Sequence, residues 1–100
     1  MATSEEDLKK AIQDYIARSG GSTSSWYVGT SRHPRRRLFD EHRVAREEGW
    51  WMFKRAASPT VAHDVEDHFV RVVGTDGWTD GNGGEADYVY AYRKNTKTCP

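Results

Sequence analysis

Residues Trp26-Tyr27-Val28-Gly29 run through Thr30-Ser31 into Arg32-His33-Pro34-Arg35-Arg36-Arg37-Leu38-Phe39-Asp40-Glu41-His42. No other stretch constrains the chain as strongly. The order reads as a short apolar strand, a glycine turn and a helix whose first turn is crowded with guanidinium groups. A helix start is already electropositive, because its first amide N–H groups lack intrahelical partners. Arg35, Arg36 and Arg37 at that end suit a phosphate oxyanion. They equally suit a solvated basic helix end.

The surrounding charge decides how such a site would act. Net charge is zero, so no global field draws the molecule toward a polyanion. The distribution is nonetheless uneven: six arginines (32, 35, 36, 37, 43 and 46) face only Asp40 and Glu41 between residues 32 and 46. A local basic patch on a neutral protein fits a salt-sensitive contact of modest affinity with phosphates. At 100 residues the chain is long enough for one small domain, with a core drawn largely from aromatics. The single Cys99 leaves no internal disulfide or cysteine-based zinc site. No apolar run approaches membrane-spanning length and no signal-peptide core is apparent, so a cytoplasmic protein is expected, with no membrane partner.

Ser4 followed by Glu5, Glu6 and Asp7 predicts a helix start, and Leu8, Ala11, Ile12, Tyr15 and Ile16 continue it to about Arg18. A Ser/Gly loop follows. Pro34 opens the second helix, which presents Leu38, Phe39, His42 and Ala45 on one face and runs to about Gly49. Trp50 to Arg55 reads as a strand, and Ser58-Pro59 caps a third helix extending to Val73. The glycine-rich stretch from Gly74 to Glu85 is a loop. Tyr88, Tyr90 and Tyr92 alternate with Val89 and Ala91 as a last strand. The expected fold is a small α+β domain with a three-stranded, mainly antiparallel sheet. Residues 1–24 form an N-terminal helix and loop, 25–94 the core, and 95–100 a loose tail.

Glu66 stands apart in the third helix. His63, Asp64, Asp67, His68 and Arg71 make its polar face, and Ala62, Val65, Phe69, Val70, Val72 and Val73 its apolar face. Glu66 is the one charge on the apolar side. A buried carboxylate needs an arginine, a metal ion or a raised pKa, unless the side chain simply turns outward. His63 and Glu66 have the spacing to share a metal, but His68 is misplaced for a helical pair. Asp76, Asp80, Asn82 and Glu85 only loosely suggest a calcium loop. Trp50, Trp51 and Trp78 suit base stacking or a core.

Tyr27-Val28-Gly29, an arginine ten residues beyond that tyrosine, and Ala62-x-x-x-Glu66-x-x-Phe69 together resemble the GIY-YIG nuclease superfamily over residues 25 to 93. The resemblance implies a divalent-metal-dependent endonuclease that hydrolyses nucleic-acid phosphodiesters, with DNA as the expected partner. It puts Arg37, within Arg37-Leu38-x-x-x-His42, at the catalytic arginine, and Glu66 at the ligand for Mg2+ or Mn2+. Tyr27 falls on the signature tyrosine, His42 is an alternative base, and Asn82 lies where a later family asparagine is often found. Arg32, Arg35 and Arg36 would hold the polynucleotide backbone. The family's first Gly-Ile-Tyr strand has no counterpart upstream. The expectation is that Tyr88–Tyr92 takes its place beside Trp26–Val28, so that Tyr90 or Tyr92 replaces the missing tyrosine. A non-catalytic nucleic-acid-binding module, or a protein-interaction module, on the same fold is the alternative.

Overall fold

The computed structural model describes residues 3–20, 22–47, 49–77 and 86–98. Helix α1 spans Glu5–Ser19. The Ser4 side chain accepts the N–H of Asp7 at its start, and Gly20 closes it in the left-handed conformation at φ 75°. Strand β1 is Trp26–Ser31. Gly29 therefore lies within a strand, and the turn expected there does not form. The reason is pairing: Gly29 lies opposite Tyr90, and the ladder continues to Ser31.

Downstream of Pro34, Arg36–Glu41 winds as a short π-helical turn, called here the arginine turn. It ends well before the expected Gly49. Arg43 adopts a left-handed φ of 59°, and the N–H of Val44 returns to the Leu38 carbonyl at 2.9 Å. This is the six-residue closure that usually ends on glycine. It turns Val44 into the core at 5 % exposure, whereas Ala45 is exposed instead of facing inward.

Strand β2 is Trp51–Arg55. Helix α2 is Pro59–His68, capped by the Ser58 hydroxyl accepting the N–H of Val61, and it continues as a π-helical turn over Phe69–Val73. Val72, expected on the apolar face, is 73 % exposed, because the wider winding shifts it round the axis. Strand β3 is Asp76–Gly77 and β4 is Tyr88–Arg93.

The sheet has four strands in the order β2-β4-β1-β3, not three. Strands β2 and β1 both run antiparallel to β4, and β3 adds a short parallel edge at Tyr27 and Val28. The sheet is thus mixed, because the loop expected after Gly74 places two residues alongside β1. Strand β4 lies directly beside β1, as expected from the missing upstream strand. Among the described residues, no helix is long and apolar enough to cross a membrane.

Side chains alternate across this sheet and build two cores. On one face Trp26, Val28, Val89 and Ala91 pack with Leu8, Ile12 and Ile16 of α1 and with Ala62, Val65 and Phe69 of α2. On the other, Tyr27, Tyr90 and Tyr92 pack with Leu38 and Val44, edged by Phe39, Trp51 and Phe53. The N-terminal helix therefore shares its core with the sheet.

Gly29 allows the second core to close. A Cβ at that position would lie 2.5 Å from the Tyr90 hydroxyl oxygen. Gly29→Ala is expected to destabilise the fold by about 1–3 kcal/mol, as overpacking does. A urea midpoint unchanged from wild type would show that Tyr90 is free to move aside.

Candidate functional site: an aromatic cluster beside a buried carboxylate

The alternation of β1 and β4 brings three tyrosines together. Tyr27 stacks on Tyr92 with ring centroids 5.2 Å apart and on Tyr90 at 6.3 Å. His42, from the end of the arginine turn, closes the group at 4.7 Å from the Tyr27 ring. His42 is buried, and both ring nitrogens are engaged: Nε2 lies 2.8 Å from the Tyr90 hydroxyl and Nδ1 3.1 Å from that of Tyr92. A neutral imidazole carries one N–H. If Nδ1 accepts from Tyr92 and Nε2 donates to Tyr90, the Tyr90 hydroxyl is left to donate to Tyr27, with which it hydrogen-bonds. This arrangement aims a chain of donors at the Tyr27 oxygen.

Glu66 enters from the other side of the sheet. Helix α2 packs on the Trp26 and Val28 face, but the Glu66 carboxylate extends to the sheet's edge, where it accepts the backbone N–H of Thr30. Among the described residues, β3 pairs with β1 at Tyr27 and Val28. The carboxylate thus sits at the rim between the two faces. There it acts electrostatically on Tyr27 and Tyr90, and the Arg37 guanidinium acts on all three. Tyr27, Arg37 and Glu66, far apart in sequence, form one electrostatic group.

Burial pushes the Glu66 carboxyl up to about 7 from an ordinary 4.5, and the charge of Asp67 adds to the rise. The Thr30 N–H and the Arg37 guanidinium offset this only in part. His63 Nδ1 stands 3.7 Å from Glu66 Oε1. Burial also raises Tyr27, with further rises from the charges of Glu66 and Asp76, against the pull of Arg37 and the Tyr90 bond. Tyr90 is shifted strongly upward by burial and then by Tyr27.

Arg37 keeps its side chain about half exposed and lies 3.6 Å from Glu41. Arg32, Arg35 and Arg36 line a separate groove on the tyrosine face, together with His33, Pro34, Phe53 and Tyr88. Asn82 lies outside the described residues, as do Trp78, Asp80 and Glu85. The Thr30 N–H and the pairing of His42 with two tyrosines are not apparent in the sequence. The Tyr-x-Tyr-x-Tyr alternation of β4 was the one signal pointing to the cluster.

Among the described residues no three His, Cys, Asp or Glu side chains are grouped to hold an ion. Glu66 is nevertheless a chemically fitting ligand for a magnesium-like cation. Such an ion takes one or two carboxylates and keeps its remaining positions for water and phosphate, and a buried carboxylate without full compensation gains from a cation beside it. Compared with family models, curated proteins and solved structures, the chain matches none.

The raised Glu66 value links the site to stability. Between about 4.5 and about 7 the folded chain holds a proton that the unfolded chain has released. Stability is therefore greatest below that window and falls as pH rises through it. At about 1.4 kcal/mol per pKa unit, the loss is on the order of 3 kcal/mol. Glu66→Gln is expected to match wild type in urea midpoint near pH 4.5 and exceed it at pH 8. Mg2+ should narrow the gap at pH 8 by stabilising wild type alone. Equal midpoints at pH 8 without metal would mean that the carboxylate is not strained by burial.

Proposed function

We propose that this chain is a divalent-metal-dependent endonuclease domain of the GIY-YIG type, with β4 in the place of the family's first strand and Tyr90 in the place of its first tyrosine. The reading is carried by one observation: a nine-tenths-buried glutamate, a half-exposed arginine and a tyrosine pair share one electrostatic neighbourhood at a strand edge.

In this mechanism Glu66 would hold Mg2+ or Mn2+, and such an ion would supply Lewis-acid charge neutralisation. Arg37 faces the scissile phosphate from the open side and neutralises the charge that develops on its oxygens, where a planar guanidinium is most effective. Tyr27 orients the attacking water and, once its own phenol proton has passed to bulk solvent, accepts the water's proton as the phenolate. A phenol is a weak base at neutral pH, so the donors aligned through Tyr90, His42 and Tyr92 matter: they stabilise the Tyr27 phenolate as it forms. His42 then acts through Tyr90 and does not touch the substrate. Arg32, Arg35 and Arg36 hold the polynucleotide without reading sequence.

A supercoiled-plasmid nicking assay with Mg2+ or Mn2+ tests the reading. Glu66→Gln and Arg37→Ala are each expected to lower the nicking rate by about 100-fold or more, the scale of losing a transition-state charge partner. Tyr27→Phe should do the same. His42→Gln should cost less and shift the alkaline limb of the pH–rate profile. Nicking that survives Glu66→Gln or Arg37→Ala would remove the site assignment. DNA binding without nicking would instead favour the non-catalytic module.

A further inference from the structure

The groove beside the tyrosine cluster has a volume of about 450 Å³ and is lined by Arg32, His33, Pro34, Arg35, Arg36, Phe53 and Tyr88. That volume falls in the range of small-molecule sites. Phosphates alone would call for the arginines but not for the two rings. Phe53 and Tyr88 are only partly buried and meet edge to face at 6.1 Å, so no planar group inserts between them. Their outward surfaces are what a ligand would meet. The Arg35 guanidinium already lies 5.5 Å over the Phe53 ring, so that ring face accepts a flat, delocalised group. The floor and the rim of the groove therefore ask for a flat ring with an anion attached.

The groove also adjoins the candidate cleavage site. Tyr88 and Tyr90 are alternate residues of β4 on one sheet face, about 7 Å apart along the strand. Phe53 lies opposite Tyr90 in the sheet register. A polynucleotide whose phosphate sits at Arg37 and Glu66 would bring a neighbouring nucleotide to Phe53.

We propose that this groove receives an unpaired nucleobase, stacked on Phe53 and edged by Tyr88, with its flanking phosphates on Arg35 and Arg36. The substrate class is then a polynucleotide that is single-stranded or locally opened beside the scissile bond, since a paired base stays in its stack and cannot reach the rings. The proposal rests on the nucleic-acid reading above.

Fluorescence anisotropy without divalent metal separates the two. The probes are a fluorescein-labelled oligothymidylate, an abasic strand of the same length and a fully paired hairpin. The oligothymidylate is expected to bind about tenfold more tightly than either, the scale of stacking one base on an aromatic ring. Phe53→Leu, which keeps an apolar side chain, should lower oligothymidylate affinity to the abasic level and leave abasic binding unchanged. Arg35→Gln with Arg36→Gln should weaken all three probes and flatten their salt dependence. Abasic strand or hairpin binding as tightly as oligothymidylate would overturn the groove assignment alone. Failure of every probe to bind at low salt would overturn the nucleic-acid reading and the groove with it.

Discussion

The register of β4 against β1 fixes the rest of the molecule. With Tyr27 opposite Tyr92 and Gly29 opposite Tyr90, all the tyrosines of the pair fall on one face, and Trp26, Val28, Val89 and Ala91 fall on the other. A slip of one residue would put three hydroxyl-bearing rings against the face where Leu8, Ile12, Ile16, Ala62 and Val65 of α1 and α2 pack. The same register places the Tyr90 hydroxyl over the one residue of β1 without a Cβ. Strand β2 pairs with the far side of β4 and extends the aromatic face with Trp51 and Phe53. The central strand thus sorts a dry aliphatic core from a polar aromatic one.

The carboxylate at the rim works against the fold. Glu66 is only 4 % exposed, on a helix whose neighbouring turns carry Ala62, Val65 and Phe69 into the core. Full ionisation there costs stability, because one backbone N–H and a half-exposed guanidinium do not replace the water that burial removes. Polar groups kept at such a cost, beside a cation-bearing side chain, are characteristic of sites that bind or react.

Element existence was largely legible in the sequence; the limits of the elements and the side-chain partners were not. Helix α1, β1, β2, α2 and β4 follow from capping residues and from periods of 3.6 and 2. The end of the arginine turn does not, because it depends on Arg43 taking a left-handed conformation that glycine normally supplies, and on the burial of Val44, a tertiary effect. Gly29 looked like a turn because a glycine before a polar, basic run usually is one. Its role is steric and involves a residue 61 positions away by the pairing of Gly29 with Tyr90. Glu66 could be singled out from helical phase alone, since one charge among apolar neighbours breaks the pattern. Its partners could not, as Thr30 contributes only a backbone N–H that every non-proline residue carries.

The aromatic cluster explains why an arrangement of weak parts can serve one reaction. A lone phenol, a lone guanidinium and one carboxylate are each poor catalysts in water. Here the phenol is tied through Tyr90 to an imidazole whose other nitrogen meets Tyr92, so charge arriving on Tyr27 is met by dipoles already in place. Burial raises the energy of that charge in the resting site, and an approaching cation at Glu66 lowers it again. In the proposed mechanism the same residues would be unreactive alone and would act only with a cation and a phosphate both in place. Arg37 is left half in solvent beside Glu41, while the tyrosines are held by the sheet, His42 by the end of the arginine turn and Glu66 by α2.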